Sequence, residues 1–76
     1  MANKFERAFP IGARVNALEP MGGWQEGIVT THTISQMNSS QADGLIVKFD
    51  DDSWATVPYG YIDIESADNS YVVMLE

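Results

Sequence analysis

The sequence predicts an all-β fold: one small, partly open barrel of about five strands. Three observations lead there. Short apolar–polar alternations recur along the chain, turns rich in glycine, proline, aspartate and serine separate them, and no segment keeps a helical period. The chain has 76 residues and no cysteine, so it holds one core with no disulfide or thiolate zinc site behind it. A domain of this size buries only about 60% of the surface its unfolded chain exposes, which leaves oligomerisation open as a further source of stability.

Residues 1–10 read as a flexible, irregular arm that Phe5 and Phe9 pin to the body and Pro10 ends; residues 11–76 read as the barrel domain. Ala13 to Leu18 alternates as a half-buried strand does, with Ala13, Val15 and Ala17 inward. Glu19 to Gly23 is a turn, since proline fixes one torsion and the glycines permit positive φ. Trp24 to Thr33 is rich in β-branched residues and forms the second strand. Gly27 inside it marks a bend or a close backbone approach, as closing a small barrel requires.

Ser35 to Asp43 is polar and aperiodic, a long hairpin loop that Gly44 ends. In the third strand Leu45, Val47 and Phe49 share one face while Ile46 and Lys48 share the other. Asp50-Asp51-Asp52-Ser53 is a tight acidic turn. The returning strand, Trp54 to Val57, turns Ala55 and Val57 inward and Trp54 and Thr56 outward. Pro58 stops it, Tyr59-Gly60-Tyr61 makes a short helical turn, and Ile62-Asp63-Ile64 is the expected last strand. After a loop at Ser66 to Ser70, Tyr71 to Leu75 is an extra β-prone segment that pairs with an edge, covers one or meets another copy.

The charge balance is acidic, with 11 Asp and Glu against 4 Lys and Arg, a net −7. Direct nucleic-acid binding needs clustered cations, and here Lys4 and Arg7 lie in the arm while Arg14 and Lys48 stand apart. An acidic surface suits a basic partner, or mimicry of nucleic acid toward a protein that binds it. The first residues lack the apolar run of a signal peptide and no stretch approaches a membrane span, so the expected location is the cytoplasm.

Gly12-Ala13-Arg14-Val15, then Gly23-Trp24-Gln25-Glu26-Gly27-Ile28-Val29, then Leu45 through Trp54, and then Val57 leading to Ile62-Asp63-Ile64 follow one another in an order that resembles Tudor-like domains of the SH3-like class. The resemblance covers roughly residues 12–65. It implies a binding domain, and in many of its members an aromatic cage holds a methylated lysine or arginine by cation–π attraction. Carried over by position, Trp24 and Phe49 match cage aromatics, Asp52 lies where some members carry another aromatic, and Trp54 lies near a cage-edge position. The family's first-strand aromatic is replaced here by Ala17-Leu18.

Phe9-Pro10, Gly12 to Val15, Trp24-Gln25 and Ile28-Val29 also look like plasmid-borne type II dihydrofolate reductase, an SH3-like barrel that works as a tetramer around one pore. Its substrate strand would correspond to Ser53 through Pro58. The serine and proline match, but Ala55, Thr56 and Val57 replace the family's glutamine, isoleucine and tyrosine, and its pore lysine has no counterpart near Asn16-Ala17-Leu18. What this implies is a shared fold and oligomer habit rather than a shared activity.

No constellation points to catalysis. His32 is the only histidine, with no second histidine or cysteine to complete a triad or a zinc site. Asp50 to Asp52 lack the alternating ligands and distal glutamate of a calcium loop and read as a solvated turn. Each indole is either a core plug or an exposed platform, and strand alternation sends Trp54 outward.

The expected function is therefore a non-enzymatic protein-interaction module without cofactor or metal. Its patch would be Trp24, Phe49, Trp54 and Tyr59 with Asp50 and Asp52 as an acidic rim, taking a basic or methylated peptide or another subunit. The alternatives are a small acidic inhibitor or nucleic-acid mimic of the mobile-element type, and an oligomeric enzyme like type II dihydrofolate reductase.

Overall fold

Val15, Ala17, Val29, Leu45, Val47, Phe49, Val57 and Val72 recur at the inward positions of their strands, and all eight are buried. Each large apolar side chain so placed contributes about 1.5–3 kcal/mol relative to exposure. The computed structural model describes residues 3–19, 22–33 and 43–75. The strands are β1 (Arg14–Glu19), β2 (Gly23–Thr33), β3 (Gly44–Phe49), β4 (Trp54–Pro58) and β5 (Val72–Met74), and all neighbouring pairs are antiparallel. They make one sheet in the order β4-β3-β2-β1-β5. The ladder is open: β4 and β5 are its two edges, and the closure of a complete barrel is not formed among the described residues. No helix among them is long and apolar enough to cross a membrane.

β2 joins both halves of the sheet, since residues 23–28 pair with β1 and residues 27–33 pair with β3. The changeover falls at Gly27, where any Cβ would lie 2.6 Å from the Lys48 carbonyl oxygen. A bulge between Val29 and Thr31 shifts the register, and the Thr30 hydroxyl donates to the Ile46 carbonyl at 3.0 Å. Bulges of this kind bend and twist a strand, which lets β3 and β4 fold over the core. The polar loop expected after β2 lies almost wholly outside the described residues.

Three sequence expectations are corrected. The arm is not irregular throughout, because Lys4–Ala8 is a short helix, α1. Asn3 and Glu6 form a capping box: the Asn3 side chain accepts from the Glu6 N–H at 2.8 Å, and the Glu6 carboxylate accepts from the Asn3 N–H at 3.0 Å. A helix of five residues does not stand alone; buried Phe9 and the packing of Phe5 and Ala8 against the core hold it.

Second, Ile62-Asp63-Ile64 is not a strand. The Asp63 carboxylate accepts from the backbone N–H groups of Glu65 and Ser66 at 3.0 and 3.1 Å, which turns the chain where a strand would have continued. Third, the fifth strand is the segment expected to be extra: β5 lies against β1, with Asn16 opposite Val73.

Candidate functional site

Register decides which side chains share a face. Arg14, Ile28, Lys48 and Trp54 lie opposite one another in turn, across β1, β2, β3 and β4. All four are exposed, so they form one row across the outer face of the sheet. Trp54 ends the row with 58% of its surface exposed. The Lys48 ammonium sits 5.4 Å from the centre of its ring, within cation–π range. The same ammonium lies 3.7 Å from the Asp52 carboxylate.

At the other end of the row the Arg14 guanidinium grips Asp50 with two hydrogen bonds of 2.8 and 3.0 Å and reaches Glu26 at 3.3 Å. These bonds hold the Asp50 carboxyl below the usual carboxylate range. Asp51 is held low as well, by hydrogen bonds from the Ser53 hydroxyl and backbone N–H. A shallow cleft of about 310 Å³ runs among Ile28, Thr30, Lys48, Phe49, Asp50 and Asp52, beside the row.

The turn that carries this rim is tight. The Phe49 N–H donates to the Ser53 carbonyl at 2.8 Å, and the Asp52 N–H donates to the Phe49 carbonyl at 2.9 Å. Asp52 takes a left-handed backbone, φ 69°, where glycine is usual. That conformation holds its carboxylate beside Lys48.

The expected patch comes together only in part. Trp54, Asp50 and Asp52 share the region. Trp24 is exposed on the same face, but it lies four residues from Ile28 along β2. With a rise of about 3.3 Å per residue and two strand spacings of about 4.8 Å, the indoles stand on the order of 15 Å apart.

Phe49 is 2% exposed and belongs to the core. Its neighbour Lys48 faces out, so Phe49 faces in by strand alternation. Tyr59 lies elsewhere: its ring stacks on Phe5 with centroids 4.0 Å apart, and its hydroxyl lies 2.6 Å from His32 Nδ1. His32 Nε2 lies 2.7 Å from the Phe9 carbonyl. A carbonyl only accepts, so Nε2 carries a proton, and in the neutral imidazole Nδ1 then accepts from the tyrosine hydroxyl. Burial pushes the Tyr59 hydroxyl pKa up. Tyr59 and His32 thus fasten α1 to the sheet.

Sequence reasoning missed the roles of Lys48, Ile28 and Arg14. The alternation of β3 placed Lys48 outward, but the row needed register, which depends on turn geometry and a bulge. A second aromatic surface was also missed. Tyr61 and Tyr71 stack at 5.1 Å and remain exposed, with Ile64 and Met74 also exposed. No family model matches the chain, and no curated protein or solved structure matches it.

Proposed function

We propose that this chain is a non-enzymatic interaction module of the SH3-like, Tudor-like kind, whose outer face around Trp54 takes a basic segment of a partner protein. One observation carries the reading: the exposed Trp54 ring already holds an ammonium, that of Lys48, with the Asp52 carboxylate beside it. The chemistry a partner lysine or arginine would meet is therefore present on the surface. The net charge of −7 draws a cationic partner toward it. A meander of four strands, a short 3-10 turn and a fifth strand returning to β1 support the SH3-like reading.

An unmodified basic segment fits better than a methylated one. A methylammonium cage needs several aromatic walls around one point, and here Trp24 is distant, Phe49 is buried and Tyr59 is stacked on Phe5. The non-enzymatic reading is supported by His32, whose two ring nitrogens are both committed to structural partners.

The test is calorimetric titration of a lysine-rich peptide into the protein. Trp54→Ala should keep the fold, because the side chain is mostly exposed, and weaken binding at least tenfold. Raising salt from about 50 to about 300 mM should weaken binding to the parent protein as well. Lys48→Met removes the resident ammonium and should tighten binding about two- to fivefold, the equivalent of one exposed cation–π contact. Equal affinity of the parent and Trp54→Ala proteins would sink the reading.

A further inference from the structure

The sheet has two edges, and the chain treats them differently. At β5 the outward backbone groups of Val72 are already used. The Ser70 hydroxyl, on a side chain in a residue only 3% exposed, donates to the Val72 carbonyl at 2.7 Å and accepts from the Val72 N–H at 3.4 Å. The Tyr71 N–H donates to the Tyr61 carbonyl at 2.9 Å, and the Asp63 N–H donates to the same Ser70 hydroxyl at 3.1 Å. The segment after β4 thereby covers that edge at its Val72 end.

β4 has no such cover among the described residues. The Phe49–Ser53 hydrogen bond sets the phase of the β3–β4 ladder. In an antiparallel pair the bonding direction alternates, so Ser53, Ala55 and Val57 point their backbone groups at β3. Trp54 and Thr56 point theirs outward. Pro58, which has no N–H, ends the usable edge on one side, and the acidic turn at Asp51 and Asp52 bounds it on the other.

We propose that a basic extended segment docks on this edge as a sixth strand, hydrogen-bonding the outward backbone groups of Trp54 and Thr56. The proposal rests on the reading of the Trp54 face given above and supplies its mode of recognition. Strand addition takes affinity from main-chain bonds and selectivity from alternate side chains. The residue opposite Trp54 places its Cβ about 4.5–5.5 Å from the Trp54 Cβ on the same face. A lysine or arginine there lies along the indole and within reach of Asp52. Charge complementarity favours this occupant over a second copy, since two chains of net −7 repel. The recognised sequence is thus an alternation, with cations on the face shared with Trp54 and Thr56 and β-branched residues on the opposite face.

The experiment uses an acetylated peptide of alternating lysine and valine, and the same peptide N-methylated at every second residue on the face toward β4. Charge is equal, so only strand pairing separates them. The parent protein should bind the first at least tenfold more tightly. Thr56→Pro, which removes one outward N–H from an edge strand where proline is tolerated, should weaken the first peptide similarly. Hydrogen exchange at the Trp54 and Thr56 amides should slow in the complex.

Equal binding of both peptides to the parent protein overturns strand addition, and it leaves the Trp54 face standing if Trp54→Ala still abolishes binding. No binding of either peptide overturns both. A concentration-dependent dimer in sedimentation, abolished by Thr56→Pro, gives the edge to a second copy and overturns the basic occupant.

Discussion

Gly27→Ala should cost the domain much of its stability, and the structure says why. An alanine Cβ would lie 2.6 Å from the Lys48 carbonyl oxygen, 2.8 Å from Val47 Cγ1 and 3.0 Å from Phe49 Cα. Two of these atoms are β3 backbone, which β2 and β4 hold from both sides, so relief requires β2 and β3 to part. Overpacking of this kind costs about 1–3 kcal/mol. Alanine's lower conformational entropy cost in a strand returns about 0.5–1 kcal/mol, which leaves a net loss of up to about 2.5 kcal/mol, and about 1 kcal/mol at the middle of both ranges. A chain of 76 residues has a total stability of about 4–11 kcal/mol at the usual per-residue value. The melting temperature should therefore fall by about 5–10 °C. Urea denaturation followed by circular dichroism should show a lower midpoint with an unchanged slope. Gly60→Ala is the control: no atom lies within 4 Å of its Cβ position and its φ is not positive, so it should be neutral or stabilising by under about 1 kcal/mol. A Gly27→Ala protein as stable as the parent would refute the close approach of the two strands.

Three further perturbations test other parts of the structure. Asp52→Gly relieves the left-handed backbone of the β3–β4 turn and should raise stability by about 1 kcal/mol in thermal melts, since the ion pair it removes is exposed and weak. Ser70→Ala strips the Val72 carbonyl and the Asp63 N–H of their partner and should destabilise by about 1–3 kcal/mol, with faster hydrogen exchange at residues 61–63 and 72. Asp50 titrates low in the fold because Arg14 hydrogen-bonds its charged form. The stabilisation this provides is present above the ordinary aspartate pKa and is lost as pH falls through the depressed folded value. Arg14→Met should return Asp50 to the ordinary range in an NMR titration and flatten the acid side of the stability profile.

The first four strands were legible because their alternation is strong and only one phase buries Val15, Val29, Val47 and Val57 together. The fifth was misplaced because Ile62-Asp63-Ile64 and Tyr71 to Leu75 are both short and β-prone; the choice lay in the Asp63 turn and the Ser70 hydrogen bonds, which form only in the folded chain. Helix α1 carried a readable signal in the Asn3–Glu6 capping box. Its five residues are too few for a period, so the box alone had to suffice. Within the site, Trp54 was legible from alternation. Phe49 was misassigned although its own strand pattern placed it with Leu45 and Val47. Tyr59 and His32 could not be paired from sequence, because 27 residues separate them and the bulge sets where His32 points.

The central claim is that the outer face and open edge at Trp54 form the binding surface, and amide chemical-shift mapping during titration with the lysine–valine peptide tests it most directly. The largest shifts should fall at Trp54, Thr56, Lys48 and Ile28, saturating together. Shifts gathered instead at Tyr61, Ile64, Tyr71 and Met74, or none at peptide excess, would contradict it.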